Sequence, residues 1–167
     1  PVLKDFTRLK TGYYPSYLGV DIRMGSFDAK SLNTAKNTVY QAAGEFIYTE
    51  DKKDLTEVIA DKLIRQKLTL AVAESCTGGL LSRRITMNPG SSQYFMQGIV
   101  AYSNAAKKQL LGVPADVLDK YGAVSAETAP AMADGVRQQS GAHLALSLTG
   151  IAGPGGGKEE KPTGLVH

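Results

Sequence analysis

The sequence predicts an α/β protein: a small layered sheet flanked by helices, with its chemistry at the carboxyl ends of the strands. Three observations lead there. Residues 68–73, 98–101 and 144–148 are short apolar runs of strand length. Helix-length amphipathic segments separate them, the pattern of a layered sheet. Each run then opens into a polar or glycine-rich loop, and α/β sheets place their sites beyond the carboxyl ends of strands.

Residues 1–49 form a different compositional block. Gly12-Tyr13-Tyr14-Pro15 and Leu18-Gly19 read as turns, and Val20-Asp21-Ile22-Arg23-Met24 alternates like a half-buried strand. Residues 32–43 fit a short helix ended by Gly44. The block is too short for a sizeable core and shows nothing catalytic, so a small α+β appendage is expected.

From residue 50 the elements are clearer. Asp51 or Asp54 caps a helix that carries Leu55, Val58, Ile59 and Leu63 on one face. The strand at 68–73 leads through Glu74-Ser75-Cys76-Thr77-Gly78-Gly79 into a helix bearing Leu80, Leu81 and Ile85, which stops at Asn88-Pro89-Gly90. After the strand at 98–101 comes a helix over 104–111. Pro114 suits the first turn of another helix, and Gly122 ends it. Ser125 caps a further helix, with Thr128 in its first turn, and Ser140-Gly141 closes it. The strand at 144–148 runs into a loop over 149–157, and residues 163–166 begin a fourth strand.

Composition narrows the function classes. Of 167 residues 43% are hydrophobic and 21% charged, which excludes a disordered or collagen-like chain. Nineteen basic and sixteen acidic side chains leave +3, with no run of five like charges, so nucleic acid is an unexpected partner. One cysteine makes neither an internal disulfide nor a cysteine-rich zinc site and fits a reducing cytoplasm. No apolar stretch approaches the ~20 residues of a membrane span, and no signal peptide opens the sequence. Metal catalysis has no His/Asp/Glu cluster to stand on, and no cofactor is called for.

Three features at strand ends are chemically suggestive. The two glycines of Ser75-Cys76-Thr77-Gly78-Gly79 expose backbone N–H groups at a helix start, suited to an oxyanion or phosphate; the plain alternative is a capped helix after a tight turn. The loop from Thr149 to Gly157 contains five glycines, which let backbone approach a ligand closely; a flexible linker is the alternative. It is not a P-loop, because Ala152 stands where the first glycine belongs and Glu159 follows Lys158. The third is Tyr102-Ser103-Asn104-Ala105-Ala106-Lys107. With Asn104 as cap, Lys107 lies in the first turn of its helix, where the helix dipole favours the neutral amine that a general base needs. A solvated surface lysine is the alternative.

Elimination limits the nucleophile. His143 and His167 are poorly placed for a Ser-His-Asp triad, and neither GxSxG nor SxxK surrounds Ser75. A serine nucleophile then needs another base, for which lysine is the known variant. Cys76 is the rival nucleophile, or a buried structural thiol.

Four collinear motifs carry a family resemblance: Ala73-Glu74-Ser75-Cys76-Thr77-Gly78-Gly79, Ala101-Tyr102-Ser103-Asn104-Ala105-Ala106-Lys107, Gly122-Ala123-Val124-Ser125, and Thr149-Gly150-Ile151-Ala152-Gly153-Pro154 with Lys161-Pro162. Residues 50–167 thereby resemble the C-terminal domain of the competence/damage-inducible protein CinA, and residues 1–49 resemble the end of the KH-like segment that precedes it in long CinA proteins. The resemblance implies a three-layer α/β/α sandwich, usually dimeric. It also implies hydrolysis of the carboxamide of nicotinamide mononucleotide to nicotinic acid mononucleotide and ammonia, in pyridine nucleotide salvage. Carried over by residue, it makes Ser75 the nucleophile, Lys107 its base and Tyr102 an assistant. Thr77 and Gly78 supply oxyanion N–H groups. Thr149, Gly150, Gly153, Gly155 and Gly156 hold phosphate or ribose, with Asn104 and Ser125 as further substrate contacts. Ala105 departs from the acidic residue many relatives carry. The family continues past Pro162 with the rest of the last strand, a further strand and a final helix, so the sequence reads as C-terminally incomplete.

Two other functions compete. The same loops would serve a non-catalytic nucleotide-binding regulatory module, although binding alone does not need a nucleophile beside a neutral lysine. An RNA-binding role for residues 1–49 lacks the GxxG loop of KH domains.

Overall fold

The computed structural model describes residues 9–17 and 19–167. The chain divides into two compact units, Pro1–Val58 and Ile59–His167.

In the first unit, β1 (Lys10–Ser16) and β2 (Gly19–Gly25) form an antiparallel hairpin in which Tyr13 faces Ile22 and Pro15 faces Val20. The segment Gly12-Tyr13-Tyr14-Pro15 is therefore strand rather than turn. Both strands of a two-stranded ribbon are edges, where proline's missing N–H is tolerated and tyrosine favours the extended backbone. Gly19 lies in β2, while Leu18 of the expected turn lies outside the described residues. Helix α1 (Ala29–Ala43) begins earlier than the apolar pattern suggested, because the Asp28 carboxylate accepts the N–H groups of Lys30 and Ser31; Gly44 caps its end as expected. A small apolar cluster of Ala35 and Val39, joined by Leu9, Met24 and Ile47, holds this unit together.

Helix α2 (Leu55–Gln66) starts in a reciprocal capping box: Asp54 accepts the Glu57 N–H at 3.0 Å, and Glu57 accepts the Asp54 N–H at 2.8 Å. A three-stranded parallel sheet follows, with β3 (Leu70–Glu74) between β4 (Phe95–Val100) and β5 (Leu144–Leu148). All five residues of β3 are buried, as expected of a central strand covered on both faces.

The alternation along β3 defines three layers. Leu70 and Val72 pack with Ala60 and Leu63 of α2, Ile85 of α3 (Leu80–Thr86) and Tyr94. Ala71 and Ala73 face the other way, into a cluster with Leu111 of α4 (Asn104–Leu111), Leu118 of α5 (Ala115–Tyr121), and Met132 and Val136 of α6 (Thr128–Ser140). Met132 is fully buried, so truncation to alanine there costs about 2–5 kcal/mol. The small side chains of Ala71 and Ala73 let α6 settle close to the sheet, and α4 packs on α6.

Residues 163–166 do not form a fourth strand. Gly164, at φ +91°, and the Leu165 N–H donated to the Pro162 carbonyl make a turn. An antiparallel bridge between Gly150 and Val166 is flanked on one side by reciprocal bonds between Thr149 and His167. On the other side the Ile151 N–H donates to the Leu165 carbonyl at 2.9 Å and the Gly164 N–H to the Ile151 carbonyl at 2.7 Å. No helix among the described residues is long and apolar enough to cross a membrane.

Candidate active site

The register of the sheet builds the site. Glu74 pairs with Val100 on one side and Leu148 on the other, so the next residues, Ser75, Ala101 and Thr149, leave the sheet side by side. The Ser75 N–H donates to the Leu148 carbonyl at 2.9 Å, and the Ala101 N–H to the Glu74 carbonyl at 2.8 Å. Ladder bonding thus continues one residue past β3 and β4, while past β5 the Thr149 N–H donates to the His167 carbonyl at 3.0 Å.

Strand alternation then sorts two adjacent side chains. Ser75 follows the Ala71–Ala73 face toward α4, while Glu74 follows the Leu70–Val72 face toward α3. Lys107 and Leu111 are the buried residues of α4, one turn apart. Lys107 therefore occupies a position where a core leucine would fit, and only 1% of it is exposed. Its Nζ lies 2.9 Å from Ser75 Oγ, 2.9 Å from the Ala101 carbonyl and 3.3 Å from the Tyr102 carbonyl. None of the ion pairs among the described residues includes it. Desolvation holds its pKa below the usual lysine value, against a smaller opposing effect of Cys76.

Those three neighbours suit an uncharged amine. With the proton in place Nζ donates to Ser75 Oγ and to both carbonyls. Once it is lost, the two remaining N–H donors serve the carbonyls and the lone pair is left for the Ser75 O–H. The cap of α4 is Ser103, whose hydroxyl accepts the Ala106 N–H, and not Asn104. That shift by one residue leaves Lys107 in the first turn, as expected.

A cavity of 340 Å³ opens over the pair. Its walls include Ser75, Cys76, Tyr102, Lys107, Thr149, Gly150, Gly153, Gly155 and Gly156, so most of the residues read from sequence converge. Ala123, Val124, Ile151 and Ala152 complete it. Asn104 does not line it and is exposed. Ser125 lies off the cavity as well, its hydroxyl accepting the Thr128 N–H at 3.0 Å in the turn before α6. The contact of Tyr102 with Lys107 is made by its carbonyl, while the residue itself is 74% exposed.

The backbone donors are also distributed differently from the sequence expectation. The Gly78 N–H donates to the Ser75 carbonyl at 3.1 Å and is not free for an oxyanion. Among the described residues, the N–H groups of Cys76 and Thr77 have no acceptor; Cys76 lines the cavity, while Thr77 and Gly78 do not. Gly150 is required by space: a Cβ there would lie 2.6 Å from the Leu165 carbonyl oxygen and 3.1 Å from Cys76 Sγ. Among the described residues no group of three or more His, Cys, Asp or Glu side chains is placed to hold a metal ion.

A family model described as the CinA C-terminal domain matches residues 52–167. The chain belongs to the CinA family. A CinA-like protein of Desulfotalea psychrophila is 43% identical over 171 residues, covering 99% of this chain and 41% of the relative. A CinA-like protein of Citrifermentans bemidjiense is 48% identical over 146 residues, covering 87% of this chain and 35% of the relative. The chain thus spans roughly a third to two-fifths of the length of these relatives. Among solved structures, a competence/damage inducible protein from Agrobacterium tumefaciens is 43% identical with a TM-score of 0.63, covering 71% of this chain and 74% of that one. A CinA superfamily protein from Enterobacter cloacae is 34% identical with a TM-score of 0.66, covering 72% and 73%. The likeness to these structures includes the α/β fold of the CinA domain.

Proposed function

We propose that this CinA domain is an amidohydrolase that converts nicotinamide mononucleotide to nicotinic acid mononucleotide and ammonia. The observation that carries the reading is the buried Lys107–Ser75 pair, 2.9 Å apart, with the amine paired to no carboxylate among the described residues. A structural lysine gains nothing from such a position, whereas a general base gains the lowered basicity it needs near neutral pH.

The chemistry follows from the geometry. Ser75 Oγ attacks the carboxamide carbon as its proton passes to Lys107 Nζ. The N–H groups of Cys76 and Thr77 receive the oxyanion, at about 3–4 kcal/mol per well-aimed donor. The C–N bond then breaks as the Lys107 ammonium protonates the departing nitrogen, leaving ammonia and an acyl-Ser75 ester. Water attacks the ester, gives a proton to Lys107, and the carboxylate product leaves as Ser75 regains its proton.

The substrate follows from the family resemblance together with the cavity. Its 340 Å³ falls in the usual small-molecule range of ~300–1,000 Å³. Gly155 and Gly156, where a Cβ would meet nothing closer than 3.9 Å, allow backbone to approach a ribose phosphate, whose binding energy orients the amide, whereas Gly150 and Gly153 make room for Leu165 and Thr163. On this reading the protein acts in the bacterial cytoplasm in pyridine nucleotide salvage, as a homodimer.

Ammonia release from nicotinamide mononucleotide by the purified protein, beside Ser75→Ala, tests the reading. Release by the wild type and none by the variant supports it. Saturable binding of the nucleotide without ammonia release replaces it with a non-catalytic binding module.

A further inference from the structure

The buried carboxylate of Glu74 has no role in the chemistry above, yet it is the most heavily engaged side chain beside the nucleophile. It is fully buried. Oε2 accepts the N–H groups of Gly79 at 3.1 Å and Leu81 at 3.0 Å. Oε1 accepts the Ser82 N–H at 2.8 Å and the Ser82 hydroxyl at 2.6 Å. Helix α3 needs such an acceptor from outside. Its N-cap is Gly79, at φ +98° and without a side chain, so the N–H groups of its first turn have no cap of their own. Gly98 of β4 makes room for the arrangement, since a Cβ there would lie 2.4 Å from Ser82 Oγ.

Two consequences follow for the turn that bears Ser75. The anion-binding position at the start of α3 is already filled by a carboxylate, so no substrate phosphate binds there. The turn is also tied at both ends: Gly78 to the Ser75 carbonyl, and Gly79 to Glu74. Between those ties the N–H groups of Cys76, in the cavity wall, and of Thr77 beside it have no acceptor among the described residues.

We infer that Glu74 is a positioning residue for the reaction: by taking the N–H groups of Gly79, Leu81 and Ser82 it fixes the 75–79 turn so that the Cys76 and Thr77 N–H groups are aimed at the oxyanion formed on Ser75. This rests on the reading of Ser75 as nucleophile, but not on the identity of the substrate. Glu74 does not tune the base, because it lies on the opposite side of the strand from Lys107. Its loss therefore lowers the rate of attack and leaves the pH at which Lys107 ionises unchanged.

The test is Glu74→Gln, in which the amide group turns N–H donors toward two of the donors that the carboxylate satisfied. The probe is an alkyl fluorophosphonate: Ser75 Oγ bonds to phosphorus, fluoride leaves, and the serine proton goes to Lys107. Labelling of Ser75 is followed by intact mass, with the Tm recorded in parallel. We expect the labelling rate of Glu74→Gln to fall about 10²-fold, the loss typical of an oxyanion donor moved out of place. Its rate against pH keeps the wild-type midpoint. Ser82→Ala, which removes the hydroxyl and keeps the N–H, gives a smaller loss in the same direction, and it is decisive should Glu74→Gln fail to fold. A folded Glu74→Gln, or in its absence Ser82→Ala, that labels at the wild-type rate overturns the inference, as does a shifted midpoint. So does a wild type that is not labelled at Ser75. A wild type that labels but releases no ammonia from nicotinamide mononucleotide overturns the proposed substrate and leaves the role of Glu74 standing.

Discussion

Lys107 Nζ sits 2.9 Å from Ser75 Oγ, and its other two polar neighbours are the carbonyls of Ala101 and Tyr102. An ammonium in that place would have given up its hydration for two neutral carbonyls and a hydroxyl, a poor exchange for a charge and a good one for an amine.

Replacing Lys107 by methionine keeps the volume of the side chain and removes the base. Steady-state ammonia release is expected to fall at least ~10²-fold, with the far-ultraviolet circular dichroism spectrum unchanged. Ser75→Ala is expected to abolish turnover and retain the fold. Full activity in either variant would remove the pair from the mechanism.

The lowered pKa of Lys107 makes both activity and stability depend on pH. Activity, expressed as kcat/KM, should rise with pH through the lowered native value as the amine loses its proton, then level off. Between that value and the ordinary 10.5, the unfolded chain binds a proton at this site that the native protein does not. Stability contributed here therefore rises with pH across that window, is complete above the unfolded value, and is lost as pH falls through the native one. Tm measured at several pH values in wild type and Lys107→Met checks the sign, since the variant should lack this slope.

Gly78 and Gly150 should respond oppositely to alanine. A Cβ at Gly78 meets nothing within 4 Å, and the cost is the left-handed backbone at φ +60°, about 1–2 kcal/mol. Because its N–H is already bonded to the Ser75 carbonyl, Gly78→Ala should keep activity within a few-fold. At Gly150 the added carbon meets the Leu165 carbonyl oxygen at 2.6 Å and Val166 Cγ2 at 2.9 Å. Gly150→Ala should depress ammonia release strongly; equal activities in the two variants would contradict this account of the turn.

Gly135 of α6 faces the end of α4 so closely that a Cβ would lie 1.9 Å from the Leu111 carbonyl oxygen. That oxygen is backbone and cannot rotate away, so Gly135→Ala must push α4 and α6 apart. We expect a loss of about 3 kcal/mol or more in urea denaturation, together with reduced activity, because α4 carries Lys107.

The sheet was largely legible in the sequence: β3, buried on both faces, leaves an apolar run, and β4 and β5 leave such runs as well although Met96, Val100, Leu144 and Leu146 are exposed. The 144–148 run and the 104–111 helix match the observed bounds. The hairpin arm at Lys10–Ser16 was hidden because Gly12 and Pro15 signal turns locally, while only pairing with β2 reveals a strand. Ser75, Lys107 and the glycine loop were recognisable as motifs, but the burial of Lys107 was not, because lysine at a helical position is normally solvated. Glu74 was missed as a working group. Its signal was indirect: a helix opening at Gly79-Leu80 without a capping side chain requires an acceptor from elsewhere. The walls at Ala123 and Val124 have no chemical signature, and tertiary contacts alone select them.

Those walls are held by later parts of the chain. Thr149 Oγ1 donates to the Ala123 carbonyl at 2.6 Å, and Lys161 Nζ donates to the carbonyls of Tyr121 and Val124, both at 2.7 Å. During synthesis, the strand and helix that bring Ser75 to Lys107 are therefore complete well before Lys161 leaves the ribosome. Ser75 and Lys107 can meet while the cavity still lacks the wall that Thr149 and Lys161 tie down.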